Sequence, residues 1–221
     1  AASDVYKRQA FLVERGVEAS SCTGECGFVQ VDNAIEALQR LAAYHRAQFR
    51  GTVVGITGSN GKTVIKEWIA EELPEGMKYY RSPKSYNSQL GVPLSVLMLE
   101  GDEELAIFEA GISKPGEMER LERIIRPDAV IFTSIGDAHQ ENFINLEQKC
   151  DEKMILARSA SKIIYHSYYE PLGRMVAAHF ADRRPVDAAA YPEVPESVIG
   201  NAASRRNAQI CLLYTSDAAD E

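Results

Sequence analysis

The chain has 221 residues, 45% of them apolar and 25% charged, the balance of a globular protein with a core of useful size. Its net charge of −8, without a stripe of clustered Lys and Arg, argues against a nucleic-acid partner, because gripping a phosphate backbone needs such a stripe. No apolar stretch approaches the length of a membrane span, and no basic-then-apolar signal opens the chain, so a cytoplasmic location without membrane insertion is the expectation.

The two ends read differently from the rest. "DVYKRQ" back-translates to GAT GTG TAT AAG AGA CAG and "CLLYTS" to TGT CTC TTA TAC ACA TCT. These strings are reverse complements over most of their length and resemble a transposon-end sequencing adaptor. Residues 1–9 and 211–221 are therefore expected to be adaptor-encoded and are set aside from fold reasoning.

From Ala10 the chain opens on a short apolar run and passes through a Gly/Ser/Cys loop. The four cysteines are too few for a disulfide framework, and Cys22-x-x-x-Cys26 lacks a second ligand pair for zinc. A helix is expected from about Asn33 to Phe49, where Ile35, Leu38, Leu41, Ala42 and His45 recur at spacings of three and four. Strands and helices then alternate: strand Thr52–Thr57, helix Lys62–Glu72, strand Lys78–Arg81, helix around Val92–Leu99, strand Leu105–Glu109, helix Pro115–Ile125, strand Ala129–Ser134, helix Leu146–Ser159, strand Lys162–His166. That order predicts an α/β fold, a mainly parallel sheet flanked by helices, with ligands beyond the carboxyl ends of the strands. Beyond His166 the signal weakens: "YYEPLGRMVAAHFA" suits a helix, and "RRPVDAAAYPEVPESV" a Pro-punctuated loop or edge strand.

Between the first of these strands and its helix stands "GITGSNGKT". A glycine-rich turn there offers backbone N–H groups and a helix dipole to an anion. Gly58, Ser59, Asn60 and Gly61 form the turn, Lys62 would reach the β/γ-phosphates, and the Thr63 hydroxyl would face Mg²⁺. The bland alternative is a glycine turn that merely caps a helix. The usual phosphate loop, G-x-x-x-x-G-K-[ST], would also place a glycine where Ile56 stands.

Three further residues follow the strands or their helices. Glu109 ends the apolar strand in "LAIFEAGISKPGEM" and could hold a nucleotide's Mg²⁺, although a helix cap or a surface charge is the ordinary reading of such an acid. His139, in "TSIGDAHQENF", would alone be a satisfied loop residue, and Lys153, in "QKCDEKMILARSA", a solvated charge.

Taken together and in order, "TGSNGKT", "YNSQLGVP", "FEAGISKPGEM", "IGDAHQENF" and "EKMIL" resemble the central ATPase domain of the Mur ligases, which add amino acids to the peptidoglycan precursor. The family's phosphate loop is T-G-x-x-G-K-[ST], which accounts for Ile56. Within the family, "EAGISKPGEM" and "NSQLGVP" resemble the branch that joins D-alanyl-D-alanine to UDP-N-acetylmuramoyl-tripeptide, and "IGDAHQENF" resembles a Bacteroidota form often fused to alanine racemase. Neighbouring readings are another ligase of the superfamily, such as folylpolyglutamate synthase, or a nucleotide-binding module without ligation.

The resemblance implies ATP, two Mg²⁺ ions and a monomeric amide ligase that works through an acyl phosphate. Carried over by position, Lys62 steadies the transferring phosphate, Thr63 and Glu109 serve the first Mg²⁺, and His139 serves a second. Lys153 matches a lysine that is carbamylated in the family, with Lys149, one helical turn earlier, as competitor. Asn87 faces the substrate or phosphate side; its neighbours Tyr86 and Ser88 depart from the polar pair often seen in the family. Residues 10–50 would be the end of an N-terminal UDP-binding domain and its connecting helix, residues 51–210 the central ATP-binding domain, with "NAASRRNAQ" in a later helix of that domain.

Overall fold

The computed structural model describes residues 10–16, 27–136, 140–197, 199 and 201–218. It opens with two short parallel strands, β1 (Ala10–Glu14) and β2 (Gly27–Val31), paired in register from Ala10 opposite Gly27 to Glu14 opposite Val31. Sequence reading found only an apolar run here, because five residues with mostly exposed side chains leave little periodicity. Helix α1 (Ala34–Arg46) follows, its start fixed by the Asn33 side chain, which accepts a hydrogen bond from Glu36 N at 2.9 Å.

Alternation then proceeds through β3 (Thr52–Thr57), α2 (Lys62–Glu71), β4 (Tyr79–Arg81), α3 (Gly91–Val96), β5 (Leu105–Ala110), α4 (Glu117–Ile125), β6 (Ala129–Phe132), α5 (Leu146–Met154), β7 (Lys162–Tyr165), α6 (Leu172–His179), β8 (Val186–Asp187) and α7 (Ala202–Ala218). Six strands form one sheet in the order β4-β5-β3-β6-β7-β8, every pairing parallel. The expected parallel sheet is therefore present. The α5 region, expected as one helix to Ser159, tightens into a 3₁₀ turn over Ile155–Ala157, and α3 is shorter than the expected Val92–Leu99.

The sheet is covered on both faces, which is why its central strands read as continuous apolar runs. Successive side chains point to opposite faces. Val53, Ala106, Phe108, Val130 and Phe132 join the cluster under α3, α4, α5 and α6. Val54, Ile56, Leu105, Ile107 and Ile131 join Ile65 and Ile69 of α2 and Ile210 of α7. The same alternation puts Glu109 on the α2 side, with Leu105 and Ile107.

Arg46, at the end of α1, is 8% exposed. Its guanidinium donates to the carbonyls of Ile125 (2.8 Å) and Arg126 (3.0 Å), closing the carboxyl end of α4 where a cation suits the helix dipole. Helix α7 continues through residues 211–218, the segment expected to be adaptor-encoded, and Cys211, Leu213 and Tyr214 are buried. The hydrophobic effect is non-directional, so an apolar stretch continuing a helix is buried whatever its origin. Among the described residues, no helix is long and apolar enough to cross a membrane.

Candidate functional site

Strand β3 lies between β5 and β6, so the turn leaving it opens at the carboxyl edge of the sheet between two further crossovers. This is the crevice where α/β folds place ligands. The turn needs its glycines. Gly58 sits at φ +150, and a Cβ there would lie 1.9 Å from Thr133 Oγ1; Gly61 sits at φ +88, where a Cβ would lie 2.7 Å from Asn207 Nδ2.

The β6 exit braces the turn. Ser59 N donates to Ser134 O (2.6 Å), Asn60 N to Ser134 Oγ (3.1 Å), Gly136 N to Ser59 Oγ (3.0 Å), and Thr133 Oγ1 to Asn60 O (2.6 Å). Helix α2 then starts on Gly61 with no side-chain cap. Its first N–H groups, which lack helical partners, are left for an anion.

Lys62 folds back over the turn, donating to Gly58 O at 2.8 Å and Ser59 O at 3.2 Å. Burial holds its ammonium below the usual lysine range, and Glu109 partly offsets this. Thr63 Oγ1 donates to Glu109 Oε2 at 3.1 Å, and Asn87 Nδ2 stands 3.5 Å from the same oxygen. Glu109 is wholly buried. It is neither the helix cap nor the surface charge that the ordinary reading offered.

Lys153 is 2% exposed and donates to Gly58 O at 3.1 Å, so it is not a solvated charge. Its competitor Lys149 is equally buried but turns to Gly136 O, at 2.5 Å. The Lys153 ammonium is pushed down to about 7, first by burial and then by the like charges of Lys62 and Lys149. His139 lies outside the described residues.

Gly58, Ser59, Lys62, Asn87, Glu117 and Lys153 are among the residues around a cavity of about 410 Å³. On the other side of the turn, a smaller cavity of about 250 Å³ is lined by Asn60, Gly61, Tyr169, Arg206 and Asn207, among others. The Arg206 guanidinium stands 3.8 Å from the Tyr168 ring centroid and 5.4 Å from that of Tyr169, a flat cationic platform. Sequence reading placed residues 201–209 in a helix of this domain but gave Arg206 and Asn207 no role. The one available signal was the Tyr168-Tyr169 pair just after a strand.

The donor set fits a hard cation held between protein and phosphate. Glu109 is a buried carboxylate with a hydroxyl beside it. Among the described residues no group of three or more His, Cys, Asp or Glu gathers to hold a metal alone. Mg²⁺ characteristically takes one or two carboxylates and completes its shell with phosphate and water.

The family described as Mur ligase middle domain matches residues 56–182. The chain is 37% identical over 164 residues to the UDP-N-acetylmuramoyl-tripeptide--D-alanyl-D-alanine ligase of Borreliella burgdorferi, covering 68% of this chain and 35% of that protein. It is 34% identical over 126 residues to the ligase of the same name from Bacillus subtilis, covering 57% and 28%. The crystal structure of MurF ligase from Thermotoga maritima in complex with ADP superposes with a TM-score of 0.67 at 28% identity, over 79% of this chain and 40% of that one. The chain thus spans about a third of the length of the curated relatives it matches. With the family's match running from the phosphate turn through Glu109 and Lys153, the chain belongs to the Mur ligase family and contains its middle domain.

Proposed function

We propose that this chain is the ATP-binding portion of a monomeric ligase that joins D-alanyl-D-alanine to UDP-N-acetylmuramoyl-tripeptide in peptidoglycan synthesis. Residues 51–210 supply the central domain, and residues 10–50 the end of a UDP-binding domain. The observation that carries the reading is the convergence of Lys62, Thr63, Glu109 and Lys153 on one glycine turn.

In this reading the phosphates of ATP lie over the amino end of α2, where they displace Gly58 O and Ser59 O as the acceptors of Lys62. Phosphoryl transfer depends chiefly on positioning and on neutralising charge. Lys62 supplies positive charge beside the turn. The γ-phosphoryl group passes to the terminal carboxylate of the tripeptide, whose side of the cavity carries Asn87. The amine of D-alanyl-D-alanine then attacks the acyl phosphate, forming the amide and releasing phosphate. Thr63 and Glu109 would hold Mg²⁺, which would supply charge neutralisation for the phosphates, with His139 the candidate for a second ion. The base of the nucleotide fits the smaller cavity, against Tyr169, Arg206 and Asn207.

Lys153 has a second task in this reading. An ammonium pushed down to about 7 is largely neutral amine at and above that pH, and only the neutral amine adds CO₂, forming a carbamate and releasing a proton. Burial beside Lys62 and Lys149 is what would keep it available for that reaction.

The test is phosphate release by the product of the full reading frame, with and without each substrate. Release that requires both UDP-N-acetylmuramoyl-tripeptide and D-alanyl-D-alanine supports the ligase. ATP hydrolysis indifferent to D-alanyl-D-alanine would leave a nucleotide-binding module instead. In the 221-residue chain, Lys62→Ala should weaken Mg·ATP binding by roughly 10–100-fold, the value of one charge-assisted contact to phosphate.

A further inference from the structure

Lys66 lies one turn beyond Lys62 on α2 and is absent from the cavity lining, yet it is completely buried. A buried ammonium is expensive unless every donor is used. Its Nζ donates to Ser82 O at 2.7 Å and Lys84 O at 2.6 Å, and stands 2.9 Å from Glu109 Oε1. Glu67 Oε1 adds a longer contact at 3.4 Å, and Glu67 also pairs with Arg81 at the end of β4.

Two consequences follow. Lys66 forms a buried ion pair with Glu109 Oε1, an oxygen that accepts no hydrogen bond among the described residues, while the other oxygen, Oε2, is the one turned to Thr63 Oγ1 and Asn87 Nδ2. The two carbonyls it holds belong to the segment that carries Asn87. Lys84 sits there at φ +48, a backbone conformation that L residues rarely adopt and that persists only where surroundings enforce it. Beyond Lys84 the segment is held by Tyr86 N to Pro83 O, Asn87 N to Ser85 O, and Gly111 N to Asn87 O.

We propose that Lys66 is a positioning residue that fixes which Glu109 oxygen faces the nucleotide's cation and suspends the Asn87 segment, residues 82–90, from the nucleotide-binding helix. Occupancy at Oε2 is thereby linked to the segment on the substrate side through a single ammonium group. A buried ion pair is a poor device for stability, since well-packed apolar side chains often serve as well. Fixing orientation is what this one does. The role in cation placement rests on the nucleotide reading above; the suspension of residues 82–90 does not.

Two variants test it, Lys66→Met and the double variant Lys66→Met with Glu109→Gln, the second leaving no unpaired buried charge if the first fails to fold. In the ligand-free chain, amide hydrogen exchange at Ser82, Tyr86, Asn87 and Gly111 should accelerate about tenfold or more in either variant, while β3 and α2 keep their protection. With a fluorescent ADP, Lys66→Met should bind within about threefold of the unsubstituted chain without Mg²⁺ and need about tenfold more Mg²⁺ for its half-maximal effect, as expected for one mispositioned ligand. Unchanged exchange over residues 82–90 in the folded double variant overturns the suspension. An unchanged Mg²⁺ requirement in Lys66→Met overturns the cation role. If the unsubstituted chain binds no ADP at any Mg²⁺ concentration, the nucleotide reading and the cation role fall together, and the exchange result alone decides the suspension.

Discussion

Replacing Lys153 by Met gives the site a quantitative test through stability. Lowering that ammonium from its usual 10.5 to about 7 corresponds to roughly 5 kcal/mol, at about 1.4 kcal/mol per tenfold change in proton affinity. Lys153 is almost fully buried, so solvent screening removes little of this penalty. The sign follows from proton counting. Between pH 7 and 10.5 the unfolded chain holds more protons at this lysine than the folded chain, so stability from this group rises with pH across that window. Below about pH 7 the penalty is present in full. Lys153→Met removes it and gives up one hydrogen bond to Gly58 O, about 1 kcal/mol. Urea unfolding in CO₂-free buffer should therefore find the variant about 4 kcal/mol more stable at pH 6, with the advantage shrinking above pH 7 and reversing near pH 10. A difference between the two proteins that does not change from pH 6 to 10, or a variant destabilised throughout, would refute the account of why this lysine is perturbed.

Gly58→Ala should retain the sheet but weaken nucleotide binding by about tenfold or more and lower stability by about 2 kcal/mol, because its Cβ must displace Thr133 or the turn; calorimetry with ADP checks the first and denaturant unfolding the second, and an unaltered affinity would mean the turn does not carry the ligand. Arg46→Met, far from the turn, should cost about 2–3 kcal/mol by uncapping α4 at Ile125 and Arg126, with ADP affinity unchanged. Loss of binding in that variant while it remains folded would show α1 and the site to be coupled.

Much of this molecule was legible from its one-dimensional pattern. The alternation from Thr52 to His166 specified a parallel sheet because strands covered on both faces must be apolar throughout, and because glycines at 58 and 61 mark backbone no other residue tolerates. The positions of Lys62 and Thr63 at the start of α2 were readable for the same reason: the turn and the helix start are local in sequence. Tertiary structure decided what depends on distant partners. Glu109 could be read as a cap or a surface charge until strand parity placed it against Thr63 and Lys66 of α2. Lys149 and Lys153 share a helix face, and only packing against the β3 and β6 exits sends one to Gly136 and the other to Gly58. Lys66 carries no sequence signal, because an ammonium within a helix looks solvent-bound until Glu109 of β5 and the Ser82 and Lys84 carbonyls of the loop after β4 arrive to enclose it.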